Sequence, residues 1–203
     1  MIKTIIFDFG DVFINLDKAA TERGLKSLGL SKFSEEMNTM NQVYEMGLIS
    51  SSTFLEFYQE QIPKSKSEEL INSWNSVLLD FPLHRLEFLK KLKKDKRFNL
   101  ILLSNTNELH IDSVKKNISF YEDFKGCFDK FYLSHEIGFR KPNTEIYEFI
   151  LKENKLLAKE CFFIDDTKEN TDSAEKLGIK TWNINPKNED ITEIFNKNSN
   201  VFA

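Results

Sequence analysis

Residues 2–12, IKTIIFDFGDV, decide how the rest of the chain is read. An apolar run rich in β-branched and aromatic side chains (Ile5, Ile6, Phe7) stops at Asp8, and Gly10 and Asp11 then break the pattern. So short and so apolar a run suits a strand buried on both faces, the kind found inside parallel sheets. Asp8 then stands where that strand emerges, at the carboxyl edge of the sheet, which is where open α/β folds bind their ligands. Two readings of the carboxylate stay open on this stretch alone. It is a turn or helix-capping residue, because Asp and Gly are ordinary turn chemistry, or it is a reactive group.

Working outward, helical periodicity replaces the strand pattern for a long way. Helices are expected over 17–28, ending near Gly29, and from Ser31 or Ser34 to Gly47, with Phe33, Met37, Met40, Val43 and Tyr44 on one face. Two more are expected, one from Ser50 or Ser51 to Pro63 and one over 66–79. Consecutive helices with no strand between them suggest a subdomain inserted into an alternating fold. From Leu83 the alternation starts: helix 83–94, strand 98–103, helix 108–117, strand 130–133, helix 144–153, strand 161–164, helix 168–177, strand 179–183 and helix 190–196. The last few residues are expected to fray. The fold class is α/β, a Rossmann-like three-layer sandwich with a parallel sheet, plus a small all-helical cap after the first strand. Residues 1–15 and 83–203 form the core domain in this reading, and 16–82 the cap.

Bulk composition narrows the function classes. The 203 residues suit one domain with a modest insertion, and the 19 phenylalanines supply ample bulk for a core. A net charge of −4 and no basic stripe interleaved with aromatics argue against nucleic acid, and the lysine-rich 90–96 reads as a solvated helix end. No run of 18 or more apolar residues suggests a membrane span, and the first residues do not read as a signal peptide. Cys127 and Cys161 are isolated and lack metal-ligand spacing, which suits a reducing, cytoplasmic setting.

Four strand exits or nearby loops carry polar residues: Asp8, Ser104-Asn105, Lys141 and Asp165-Asp166. In a parallel sheet these ends share one rim. Carboxylates are the ligands Mg²⁺ prefers, and a lysine with backbone amides balances phosphoryl oxygens. Each residue has an ordinary structural explanation when taken singly; their coincidence at strand exits does not.

The set FDFGDV, LLSNTN, GFRKP and FFIDDTKEN resembles, in order, the four motifs of the haloacid dehalogenase (HAD) superfamily. More narrowly, LSNTNELH, YLSHEIGFRKP and FFIDD resemble its branch of α-D-glucose-1-phosphate phosphatases and epoxide hydrolase N-terminal phosphatase domains. The resemblance implies a Mg²⁺-dependent phosphatase acting on a small phosphorylated metabolite, with sugar phosphates among the candidates, working as a monomer or weak homodimer. It implies Asp8 as the nucleophile that becomes an aspartyl-phosphate. Asp8, the Gly10 carbonyl and Asp166 would hold the metal, with Asp165 bound directly or through water. Ser104 and Asn105 would hold the phosphate, and Lys141 would neutralise charge, with Arg140 next to it meeting a substrate anion or a surface carboxylate.

One position departs from the pattern. Phosphatases of this superfamily mostly carry a second aspartate two residues after the nucleophile, as the general acid–base, and here Gly10 stands there. Asp11 would have to take the role, or a cap group, or a bound water. The alternatives are a catalytically silent HAD-fold binding protein and a 2-haloacid dehalogenase, which needs neither metal nor acid. Among lesser residues, Glu45 reads as a solvated end of a cap helix and His110 as a packed or surface histidine; His84 and His135 form no metal or triad pattern.

Overall fold

The computed structural model describes residues 1–202. Five strands form one parallel sheet: β1 (Thr4–Phe7), β2 (Asn99–Ser104), β3 (Lys130–Leu133), β4 (Cys161–Asp165) and β5 (Lys180–Asn183), in the order β3-β2-β1-β4-β5. β1 is central because both its faces are apolar, and all four of its residues are buried. Ile5 and Phe7 pack on one side with Leu100, Leu102, Phe162 and Ile164. Ile6 packs on the other with Ile101, Leu103, Cys161 and Phe163. The period of two thus feeds two separate layers of core. Phenylalanines fill the first layer: the Phe9, Phe13 and Phe128 rings meet Phe124 with centroids 5.1–5.2 Å apart.

Between β1 and β2 lie α1 (Ala20–Ser27), α2 (Glu35–Glu45), α3 (Ser51–Gln61), α4 (Ser67–Asn75) and α5 (Leu83–Asp95). The first four bury a core of their own, with Leu25, Met37, Tyr44, Phe54, Tyr58, Leu70 and Trp74. The Ser34 and Ser50 hydroxyls cap α2 and α3 by accepting from Met37 and Thr53 N–H. The chain leaves the sheet layer and returns to it along an antiparallel ribbon. Asn15 N–H donates to the Asp80 carbonyl, Leu79 N–H to Asn15 and Asp17 N–H to Val77, each at 2.9 Å.

The remaining helices are α6 (Glu108–Asn117), α7 (Tyr121–Lys125), α8 (Ser134–Ile137), α9 (Thr144–Glu153), α10 (Lys168–Lys176), α11 (Ile194–Lys197) and α12 (Ser199–Phe202). Several details differ from the sequence reading, among them the expected helix 66–79, which ends at Asn75, and the unexpected short helix α8. The first helix starts at Ala20, not residue 17, because the ribbon holds residues 15–17. Residues 121–125, expected as loop, are helical around buried Tyr121 and Phe124. The terminus does not fray up to Phe202, whose ring lies 5.0 Å from those of Phe162 and Phe195. No helix is long and apolar enough to cross a membrane among the described residues.

Candidate active site

The strand order reverses at β1, so the crevice between the β1 and β4 carboxyl ends is the switch point where such sheets take ligands. Phe7 pairs with Ile164, which sets Asp8 beside Asp165, and the Asp8 N–H donates to the Ile164 carbonyl at 2.9 Å. One carboxylate oxygen from each of Asp8, Asp165 and Asp166 lies within 4.8 Å of the other two. A cleft of about 390 Å³ opens above them, lined by Asp8, Gly10, Lys18, Asn105, Arg140 and Asp166 among others. Hard oxygen donors gathered this closely fit Mg²⁺.

The three carboxylates are not equivalent. Asp165 is fully buried and already saturated. Its Oδ1 accepts from Thr167 N–H at 2.8 Å and its Oδ2 from Lys141 Nζ at 2.6 Å, while the Asn170 amide donates to both at 3.0 Å. It holds the lysine, and both its oxygens already accept hydrogen bonds. Asp166 lines the cleft, and its charge is met by Lys18 Nζ.

Lys141 is 1% exposed and bridges Asp8 Oδ1 at 2.8 Å and Asp165. Burial alone would push its ammonium pKa down, but Asp165 and Asp8 outweigh that and hold it above the ordinary lysine value. Burial pushes the Asp8 carboxyl up, to about 7, against the pull of Lys141.

Asn105 lines the cleft and also holds the lysine's backbone. Its side-chain amide donates to the Lys141 carbonyl at 2.8 Å and accepts from the Lys141 N–H at 2.9 Å. The amide oxygen and one of its two N–H donors are therefore spent on the lysine's backbone, and the other N–H and the main chain are left to face a phosphate. Ser104 is buried, and its hydroxyl reaches nothing nearer than the Asn105 carbonyl at 3.4 Å, the outer limit of a hydrogen bond.

Asp11 stands beside the trio, not in it, and shares Lys18 with Asp166. It adopts a left-handed φ of 54°, and its Oδ1 accepts from Leu16 N–H at 2.9 Å. The one-residue offset from position 10 turns it toward the ribbon. Over Gly10 itself, a Cβ would meet Leu16 Cδ1 at 2.7 Å, so a leucine methyl fills the place where an aspartate side chain would start.

Arg140 faces a carboxylate, not solvent. Its Nε and Nη2 donate to Glu45 Oε2 at 3.1 and 3.0 Å. Glu45, expected as a solvated helix end, is half-buried there because α2 docks on the loop after β3. Ser134 Oγ donates to the Glu45 carbonyl at 2.6 Å, and a Cβ on Gly47 (φ 66°) would fall 2.0 Å from the His135 carbonyl oxygen. A second anchor lies on α4: Trp74 stacks on His110 with centroids 5.3 Å apart, and its Nε1 donates to Asn107 Oδ1 at 3.3 Å. His110 is thus a packed residue, and burial pushes its pKa down to about 4.

Sequence reasoning missed Lys18, Thr167 and Asn170. Asn170 had a legible signal, since it sits five residues beyond a strand-exit aspartate in the first turn of α10. Lys18 had none, because 148 positions separate it from Asp166.

Fold and site together define a class. The chain belongs to the haloacid dehalogenase-like hydrolase family, whose model matches residues 5–184. Among its relatives, the D-ribitol-5-phosphate phosphatase of Bacteroides thetaiotaomicron is 28% identical over 196 residues, 90% of this chain and 91% of that protein. A HAD family enzyme of the same organism, solved as a magnesium complex, is 34% identical, with 96% of this chain and 98% of that one covered and a TM-score of 0.86. Its structure with magnesium and inorganic phosphate gives a TM-score of 0.84 at 33% identity, covering 96% of this chain and all of that one (100%).

Proposed function

We propose that this protein is a Mg²⁺-dependent phosphatase that hydrolyses a small phosphate monoester, a sugar or sugar-alcohol phosphate, through an aspartyl-phosphate on Asp8. The observation that carries the reading is Asp8 at the switch point, 2.8 Å from a buried lysine and within 4.8 Å of Asp166 and Asp165. The phosphatase name of the relative over nearly the full length, and the magnesium and phosphate of the solved neighbours, support the same reading.

An Asp8 carboxylate oxygen attacks phosphorus, the bond from phosphorus to the alcohol oxygen breaks, and that oxygen takes a proton. Water then attacks the phosphorus of the aspartyl-phosphate, releasing phosphate and regenerating Asp8. Asp8 and Asp166, with the Gly10 carbonyl, would hold the metal. Bound there, Mg²⁺ supplies positive charge that favours ionised Asp8 and offsets charge on the transferring group. Lys141 adds a fixed positive charge on the other side, in a site already organised before the reaction.

Ser104 Oγ and the Asn105 main chain receive phosphoryl oxygens, while the Asn105 side chain positions Lys141. Asp11 serves by fixing Leu16 and the ribbon, so the proton for the leaving oxygen comes from solvent. Residues 16–82 act as the cap, and Arg140, steadied by Glu45, borders the part of the cleft where the substrate's hydroxyl groups would sit. The free thiols of Cys127 and Cys161 suit a cytoplasmic setting, with the monomer or a weak homodimer as the working unit.

The test is phosphate release from a panel of sugar and sugar-alcohol phosphates, with Mg²⁺, with EDTA, and with Asp8→Asn. Turnover that disappears in both of the last two is the expected result. Release that survives Asp8→Asn, or no release at all from folded protein that binds Mg²⁺, overturns it.

A further inference from the structure

Two lysines face the carboxylates of the site, and only one is locked in place. Lys141 has 1% of its side chain exposed and is clamped through its backbone by Asn105. Lys18 has 58% of its side chain in solvent and sits on the connecting segment just ahead of α1. Its ammonium is ion-paired with Asp166, and it has a second partner within reach, Asp11 Oδ2 at 3.4 Å. Asp166 and Asp8 are the cleft-lining carboxylates of the trio. A divalent cation held by Asp8 and Asp166 therefore draws on the carboxylate that Lys18 already neutralises.

We propose that Lys18 is a displaceable counter-ion that competes with the metal for Asp166 and moves onto Asp11 when the cation binds. The inference rests on the reading of Asp8 and Asp166 as the metal ligands. It gives the second Asp11 oxygen, the one not bonded to Leu16 N–H, a use: a berth for the displaced ammonium. It also gives the position after Asp17 a reason to be basic. Without Lys18, the carboxylates of Asp8, Asp11, Asp165 and Asp166 would share Lys141 as their one ion-paired lysine. Metal binding has to break the Lys18–Asp166 pair first, so the lysine weakens metal affinity while making the metal-stripped site tolerable. The competition is modest in size, because a half-exposed pair is screened by water.

The experiment is calorimetric titration of metal-stripped protein with Mg²⁺ at fixed ionic strength, paired with melting curves with and without the metal. Lys18→Met removes the charge and keeps the stem; Lys18→Gln repeats the test with a polar side chain; Lys18→Arg keeps the charge. Expected is Mg²⁺ binding about three- to tenfold tighter in Lys18→Met and Lys18→Gln, the scale of one partly exposed ion pair. Lys18→Arg should stay within about twofold of the parent by the same measure. The neutral variants should melt lower when stripped and gain more from Mg²⁺ than the parent does. Affinity unchanged or weakened in both neutral variants overturns the competition while leaving the metal site standing. Absence of Mg²⁺ binding by the parent itself overturns both this inference and the metal reading beneath it.

Discussion

The inner and outer halves of the site use the same chemistry, lysine on aspartate, to opposite ends. On the inner side Lys141, Asp165 and Asp8 are enclosed. Their hydrogen bonds are completed by Asn170, Thr167 N–H and, through the lysine backbone, Asn105. On the outer side Lys18 meets solvent and has two carboxylates to choose between, Asp166 and Asp11, themselves as little exposed as Asp8. Burial of the lysine is what separates them. A desolvated ion pair cannot be opened without leaving an uncompensated charge, so the inner one is scaffold. A hydrated pair exchanges partners at little cost, so the outer one is adjustable.

Changes on the inner side should have the largest effect. Lys141→Met leaves Asp8 and Asp165 facing each other in a dry site, and should lower folding stability by about 3–5 kcal/mol. Chemical denaturation measures that loss; phosphate release should fall by at least the ~10²–10³-fold typical of a lost electrostatic contact. Stability within error of the parent would break the contrast. Asn105→Ala frees the lysine backbone without touching its charge. It should lower turnover by about 10–100-fold, the usual scale for a residue that orients a catalytic group from behind. Circular dichroism should show the fold intact.

A pair of intermediate burial, tied to the ribbon at Asn15, sharpens the comparison through pH. Arg85, buried, donates to Asp190 Oδ2 at 2.9 Å and also to the Phe13 carbonyl and Asn15 Oδ1. Burial works to raise the Asp190 carboxyl, but hydrogen bonds from Thr192, Arg85 and His84 outweigh it and hold it far below the ordinary carboxylate range. A depressed folded-state value contributes stability that is complete above the unfolded pKa of about 3.9 and is lost as pH falls toward the folded value. Denaturation midpoints measured from pH 6 down to pH 3 should therefore fall less steeply in Asp190→Asn than in the parent. The smallest effect belongs to Glu45→Gln. The side chains of Arg140 and Glu45 are 19% and 25% exposed, and losing their pair should change stability by about 1 kcal/mol or less, read from the melting temperature.

Much of this was legible because local chemistry dictated it. A doubly apolar strand such as Ile5–Phe7 has to be central in a parallel sheet, and every such strand delivers its exit residue to the same rim. That logic brings Asp8, Lys141, Asp165 and Asp166 together without any knowledge of the fold's details. It fails where a side chain's direction depends on distant packing. Asn105 could be placed at the rim but not aimed, because its amide answers to a backbone 36 positions away. Asp11 could be counted but not turned, because its left-handed φ and the Leu16 N–H decide where it points.

The sequence by itself determined the alternating α/β order, the helical segment after β1 and the set of charged residues at the strand exits, since these follow from periodicity and local propensity. Tertiary structure alone decided which lysine is dry and which is wet, and hence that Lys141 is clamped while Lys18 pairs from the solvent side. Burial is a property of what packs around a residue, and that packing comes from parts of the chain that no local pattern connects.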